Sequence, residues 1–402
     1  MFTDAQRRAA SWLRAWDGSG THRTGTAGDA AGAAWLAREA ASLGAQVTIE
    51  EFALDRIDPV AAYLEVDGVR FDGVPVFDAP ATGAGGIAGT LGAIGNDATI
   101  AVAAQSPHAV YSGEYRALRN NAAHAGLAIV CQGGQPGLAL LNAEQFRHPY
   151  GSPAIHLPAE AHDAILAAIA RGASARLVAH STRSPARASN VVVTIAGRDL
   201  SRPLLVVMTP RSSWWQSTAE RGGGLVCWLE SLRAVIAKSP ACDVVFTANS
   251  GHELGHIGLD DFVARRPGWD QPGGAIWLHY GANLGATAGN LTVLSNDDDL
   301  RAVAARSLAQ AGRPADTLAP GTQVPSGETR DIHRAGGRYV TLVGSNRLFH
   351  LPQDRWPHAV DSAAVARIAA GAASLVTTLA AGATADRASL ARYAGEVGWV
   401  AK

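Results

Sequence analysis

Sulfur and charge are both scarce in this chain of 402 residues. It has two methionines and three cysteines, and only 17% of its residues are charged. Cys131, Cys227 and Cys242 lie far apart in sequence. That rules out the paired spacing of a zinc knuckle and a disulfide framework, and the three read as small buried hydrophobes. Lys and Arg number 34 against 35 Asp and Glu, a net charge of −1, with no long basic run. Nucleic acid and anionic membrane are therefore excluded as expected partners. The opening MFTDAQRRAASWLRAW has no apolar stretch of signal-peptide type, and no later run reads as a membrane span, so a cytoplasmic protein is expected. Apolar residues are abundant, at 47%. Such a composition folds, and the length suits two domains, or one large domain with an insert.

The texture changes twice along the chain. Residues 5–16 and 28–43 have helical periodicity, closed by Gly44, and QVTIEEFAL follows as a strand. From about residue 60 short β-like runs rich in glycine take over, with a helix in YRALRNNAAHAG and a buried strand in LAIVCQG. TRSPARAS reads as a polar linker. Beyond it strands alternate with helices: NVVVTIAG, PLLVVMT, GGGLVCWLESLRAVIAKS, CDVVFTAN, a helix near 258–266, GAIWLHY, a helix near 297–311, RYVTLVGS and a long final helix in DSAAVARIAAGAASLVTTLAAG. The expected fold class is α/β, a mixed sheet covered by helices on both faces. Residues 1–58 and 186–402 are expected to form one core, with 60–185 as an inserted β-rich domain.

Sites in open α/β sheets gather at the carboxyl ends of strands. Four loops there offer imidazole or carboxylate: Glu220 after PLLVVMT, His252 and Glu253 after CDVVFTAN, His279 at the end of GAIWLH, and His350 beyond RYVTLVG. This mix suits zinc or another transition metal. His108, His124, His148, His156, His162, His180 and His358 read as ordinary solvated or hydrogen-bonded side chains. NSGHELGHIG, residues 249–258, contains the H-E-x-x-H pattern that places two zinc ligands on one helical face. Its context argues against that use. A strand ends near Asn249, Ser250-Gly251 turns, Gly255 and Gly258 weaken any helix, and no third ligand follows.

Several stretches together carry a resemblance. HRTGTAGDAAGAAWLAREAASLGAQVTIEEF looks like the opening helix and strand of the co-catalytic zinc aminopeptidases that have a protease-associated insert, relatives of glutamate carboxypeptidase II and the transferrin receptor. NNAAHAGLAIV and GSPAIHLPAEAHDAIL resemble the insert, and VVFTANSGHELGHIGLDDFV resembles the strand and turn that carry a Glu-Glu pair. FHLPQDRWPHAVD resembles the last ligand loop. The resemblance covers nearly the whole chain. It implies a zinc-exopeptidase-like core with a protease-associated-like domain at 60–185. It also implies that His252 stands where the family has its base glutamate, with His256 incidental or newly recruited.

Against that family the ligands depart. Its His-x-Asp reads Thr209-Pro210-Arg211, its bridging Asp-Asn reads Glu220-Arg221, and a ligand aspartate reads His279, while Glu253 and His350 survive. Two zincs need a bridging carboxylate and several anionic ligands. The expectation is therefore a single divalent ion, zinc or else iron, nickel or manganese, on Glu253, His279 and His350 with Glu220. His252 serves as proton shuttle, and Arg211 and Arg221 as clamps for a substrate carboxylate. The expected activity is a metal-dependent hydrolase acting through a metal-bound water on a small amide or short peptide. The alternatives are a metal-dependent lyase on a small anion and a pseudoenzyme that binds a partner. A homo-oligomer is left open.

Overall fold

The structure is a computed structural model that describes residues 3–121, 123–199 and 201–382. Helices α1 (Asp4–Gly18) and α2 (Ala27–Ser42) open the chain, each capped by a threonine hydroxyl, Thr3 and Thr26, that accepts from the first turn. Strands β1 (Val47–Val66), β2 (Val69–Asp72), β3 (Val74–Pro75), β4 (Ile87–Ala93) and β5 (Ile100–Gln105) follow. Next come α3 (Gly113–Arg119), β6 (Gly126–Cys131), β7 (Ala154–Leu157), α4 (His162–Ala170) and β8 (Ser174–Ile195). The remainder is β9 (Leu205–Pro210), α5 (Gly223–Lys238), β10 (Val244–Asn249), α6 (Ile257–Ala264), β11 (Ile276–Tyr280), β12 (Leu291–Ser295), α7 (Asp298–Gln310), β13 (Thr317–Leu318), α8 (Thr329–Ala335), β14 (Arg338–Gly344) and α9 (Ser362–Ala380).

The strands run in the order β13-β12-β14-β11-β9-β10-β8-β4-β5-β6-β7-β3. The central four, β14, β11, β9 and β10, are parallel, and β12 and β8 flank them antiparallel. Buried parallel strands need apolar side chains on both faces, which is why β9 and β10 read as continuous apolar runs. Alternate residues separate into two layers. Leu205, Val207, Leu278, Tyr280, Val340 and Leu342 pack against α1, α2, α5, α7 and α9. Val206, Met208, Trp277 and Tyr339 pack with Leu259, Phe262 and Ile332 of α6 and α8. The sheet is thus mixed and covered on both faces, as the sequence implies. Helix α9 is long and apolar enough to cross a membrane by composition, yet Val365, Ile368, Ala369, Ala372, Leu375 and Val376 are buried within the core. Cys131, Cys227 and Cys242 are free and buried, as expected.

TRSPARAS is not a linker. It lies inside β8, which pairs with β1 from Val47↔Val193 to Val66↔Ala175. The polar alternation that looks like a linker belongs to a two-stranded ribbon with exposed faces. Through β8 this ribbon joins the core ladder at β10 to a second ladder at β4. The second ladder packs on two further apolar clusters, which also take in Ala62, Leu64 and Val66 of β1 and Leu351.

Candidate functional site

After β9 the chain goes to β10 on one side and then to β11 on the other. The crevice beyond the carboxyl ends of these strands is the place where open α/β sheets bind ligands. The residues that follow the strands are buried: Arg211 and Glu220 after β9, His252 and Glu253 after β10, and His350 after β14. His279 sits one residue before the end of β11.

Glu253 does not join the histidines. One carboxylate oxygen accepts from the Thr24 backbone N–H and from Thr24 Oγ1, each at 2.7 Å, and the other accepts from Ser212 Oγ at 2.5 Å. Burial raises its pKa against the opposing effect of those donors. Expected from the sequence as a metal ligand, this carboxylate ties the loop after β10 to the chain before α2. Arg211, expected as a substrate clamp, has partners within the protein. Its guanidinium pairs with Asp29 at 2.8 Å and donates to the Asp29 and Ser189 carbonyls, so it pins α2 to the sheet instead of holding substrate.

The remaining predicted residues gather. Glu220 lies in a wide helical turn, Thr218–Gly222, that leads into α5. The Asp354 carboxylate, which accepts from the Ala219 and Glu220 backbone N–H groups, holds this turn. Glu220 Oε1 is 2.7 Å from Arg221 Nη2 and 3.4 Å from His350 Nε2. Burial works against the Glu220 charge, but Arg221 and His350 outweigh it and hold the pKa at about 2. His350, at φ 62, has its Nδ1 2.5 Å from the Leu140 carbonyl. A carbonyl only accepts, so this ring carries a proton on Nδ1, and its Nε2 faces Glu220.

His279 is set by strand register. It pairs with Thr341 of β14, and its Nδ1 contacts Thr341 Oγ1 at 2.7 Å and Thr329 Oγ1 at 2.6 Å. Burial, then the charges of His256 and Arg221, lower its pKa to about 3. His252 is likewise kept neutral, mainly by burial and by Arg221. His252 and His279 line a cavity of about 160 Å³ together with His108, Tyr111, Asn283 and Phe349.

Other participants escape sequence reasoning. His108, read as an ordinary side chain, stacks on Phe349 at 4.7 Å, and Phe349 stacks on His350 at 3.8 Å. Glu328 is fully buried and 3.9 Å from His252 Nδ1. His256 is buried at φ 63, its Nδ1 2.5 Å from Asp331, and its ring is 5.0 Å from that of His252. Burial opposes its charge, but Asp331 prevails and raises the pKa. It is therefore neither a helical zinc ligand nor incidental. The H-E-x-x-H residues span a 3₁₀ turn and two left-handed residues, Gly255 and His256, and its glutamate turns to Ser212 and Thr24. No periodic pattern announces Glu328 or Asp331. They flank or belong to α8, a polar helix of seven residues after a Gly- and Pro-rich stretch.

The donor types are those that hold a divalent ion. His279 Nε2, His350 Nε2, His252 Nδ1 and both Glu328 oxygens are buried without a close hydrogen bond, while Glu220 meets Arg221 and His350. His279 and His350 are each held at the far nitrogen, as ligating histidines are. The 3.4 Å between His350 and Glu220 matches an edge of a tetrahedron with bonds of about 2.1 Å. Among the described residues, however, no three His, Cys, Asp or Glu side chains stand close enough together to hold an ion as placed. Arg221 also occupies part of the anionic charge.

No family model matches the sequence, and no curated protein matches it. Solved structures do. A zinc aminopeptidase from Bacillus subtilis superposes with a TM-score of 0.76 over 95% of this chain and 96% of its own, at 16% identity. An aminopeptidase from Aneurinibacillus gives 0.71 over 94% of each chain, at 13% identity. A peptidase M28 precursor from Shewanella amazonensis gives 0.71 over 94% of this chain and 96% of its own, at 14% identity. With an α/β sheet that carries its buried polar cluster at the strands' carboxyl ends, this chain has the fold of the zinc aminopeptidases.

Proposed function

We propose that this protein is a hydrolase of aminopeptidase-like ancestry that cleaves an amide bond in a small molecule or short peptide, with one divalent ion, zinc before iron, nickel or manganese. The observation that carries the reading is the pair His279 and His350, each held at Nδ1 with Nε2 buried and without a hydrogen bond, the Nε2 of His350 lying 3.4 Å from Glu220. These three side chains would hold the ion, which when bound supplies Lewis acidity toward a carbonyl oxygen and toward water. The protein's own residues do the rest. His252, neutral in its buried setting, accepts the proton of the attacking water and returns it to the leaving amine. His108, Phe349 and Tyr111 close the cavity and limit the size of what enters. His108 and Tyr111 belong to residues 60–185, as does Leu140, which holds His350. We read that segment as an inserted, protease-associated-like unit whose part is to wall the site.

A second reading, non-hydrolytic chemistry on a small anion, is favoured by one feature. Arg221 is buried in the cluster, where its Nη2 lies 2.7 Å from Glu220 and its Nη1 has no partner. Such a guanidinium suits a carboxylate. The test is turnover by protein loaded in turn with zinc, manganese, nickel and iron, offered aminoacyl amides, N-acyl amino acids and small carboxylates. Metal-dependent amide cleavage supports the proposal. Conversion of the carboxylates alone supports the second reading. Inertness toward all three classes with all four ions would leave a binding protein.

A further inference from the structure

The first turn of α8 touches the site at every residue. Thr329 contacts His279 Nδ1 at 2.6 Å, Asp331 contacts His256 Nδ1 at 2.5 Å, and Arg330 pairs with Glu144 from the inserted segment. Glu328, just before them, lies 3.9 Å from His252 Nδ1. One short stretch thus reaches three imidazoles, and each at the same ring nitrogen. Two of those contacts are hydrogen bonds that fix a ring. The third is an approach between two buried groups, His252 Nδ1 and the Glu328 carboxylate, neither making a close hydrogen bond, with Asn249 and the charge of His256 also beside Glu328.

We propose that Glu328 is the positioning residue for His252: its carboxylate accepts from Nδ1–H, which fixes the tautomer whose other nitrogen faces the cavity as the base. The proposal rests on the reading of His252 as the proton-accepting group. Nothing in the zinc-aminopeptidase resemblance assigns position 328, and a glutamate in place of His252 would have no tautomer to fix. The exchange of base type and the carboxylate beside it therefore belong together. The geometry supports the pairing from three sides. Gly327, at φ +64, brings the loop so close that a Cβ there would lie 3.4 Å from His252 Cε1, so the segment leans on the ring. Glu328 is fully buried, so its only recourse is a neighbour. A separation of 3.9 Å is long for a hydrogen bond, but catalytic contacts in free enzymes are commonly long and tighten when substrate closes the site. An imidazole oriented by a carboxylate at Nδ1 leaves Nε2 as a lone pair, the form a base requires.

The test needs no substrate. Nitrogen-15 spectra of histidine-labelled, metal-free protein in mildly alkaline buffer distinguish Nδ1–H from Nε2–H, and the His252→Gln spectrum assigns the ring. The wild-type ring is expected almost wholly as Nδ1–H. In Glu328→Gln, whose amide can donate as readily as accept, it is expected to become a mixture. A wild-type ring protonated on Nε2 would overturn the pairing, as would an unchanged tautomer ratio in the glutamine variant. Because wild-type protein alone can give the first contrary result, the proposal stays falsifiable even if the variant folds poorly. Failure to find amide hydrolysis would sink the functional reading while leaving the tautomer result standing, so the two failures are distinguishable.

Discussion

Replacing Glu253 by alanine should weaken the fold and leave metal binding intact. The carboxylate is wholly buried and accepts three hydrogen bonds, from Thr24 N, Thr24 Oγ1 and Ser212 Oγ. Alanine would leave those three donors buried without a partner. Each such group costs roughly 1–3 kcal/mol, and members of one network do not add fully. Removing the carboxylate also removes the cost of burying it, which its raised pKa reveals. A net loss of about 2–4 kcal/mol follows. For a protein of this size the unfolding entropy is about 0.8 kcal/mol/K, so Tm should fall by about 2–5 °C. Glu253→Gln should cost less, because its carbonyl can still serve Thr24. Its amide then meets a Ser212 Oγ that already accepts from the Gly251 and His252 N–H groups. Calorimetry of metal-free variants, with metal content measured in parallel, checks this. A variant of unchanged Tm that had lost its metal would refute the argument and restore Glu253 as a ligand.

Three further outcomes are expected. His22, His156 and His279 are buried and held near pKa 3, mainly by burial, whereas the unfolded rings titrate at 6.5. The unfolded state then binds more protons between those values, so urea stability should fall as pH drops below about 6.5. Each ring accounts for about 2.7 kcal/mol at pH 4.5, and His156→Leu, away from the site, should flatten the slope. His256 has the opposite sign. Its raised pKa gives stability that is full below 6.5 and lost as pH climbs through the folded value, so His256→Ala should destabilise most in acid, read by the same urea series. Phe349→Ala should open the cavity between His108 and His350 and cost about 3 kcal/mol or less in thermal stability, while widening the range of substrates cleaved.

The architecture of the core was legible because its signal is periodic. Apolar runs such as VVFTAN and LLVVMT can only be buried strands between helices, and strand ends locate the crevice. The ribbon of β1 and β8 was not legible, since TRSPARAS pairs along a partner more than a hundred residues away, and solvent-facing alternation looks like a polar linker. The site was half legible. Glu220, His252, His279 and His350 lie where strands end, and sequence order alone puts them there. Whether a side chain then turns inward depends on partners from distant segments. Thr24 draws Glu253 away, Asp29 draws Arg211 away, and Asp354 turns Glu220 in. Glu328 and His256 were missed because their importance lies in unpaired buried atoms and a left-handed backbone, neither of which leaves a pattern in the sequence.

The central claim is that one ion binds on His279, His350 and Glu220. Metal bound per chain, measured by mass spectrometry after loading with zinc and gel filtration, tests it most directly in wild type, His350→Ala and Glu253→Gln. The account predicts a single ion in wild type, its loss in His350→Ala, and its retention in Glu253→Gln. Two ions per chain, or a Glu253→Gln variant that is empty beside a loaded His350→Ala, would contradict it.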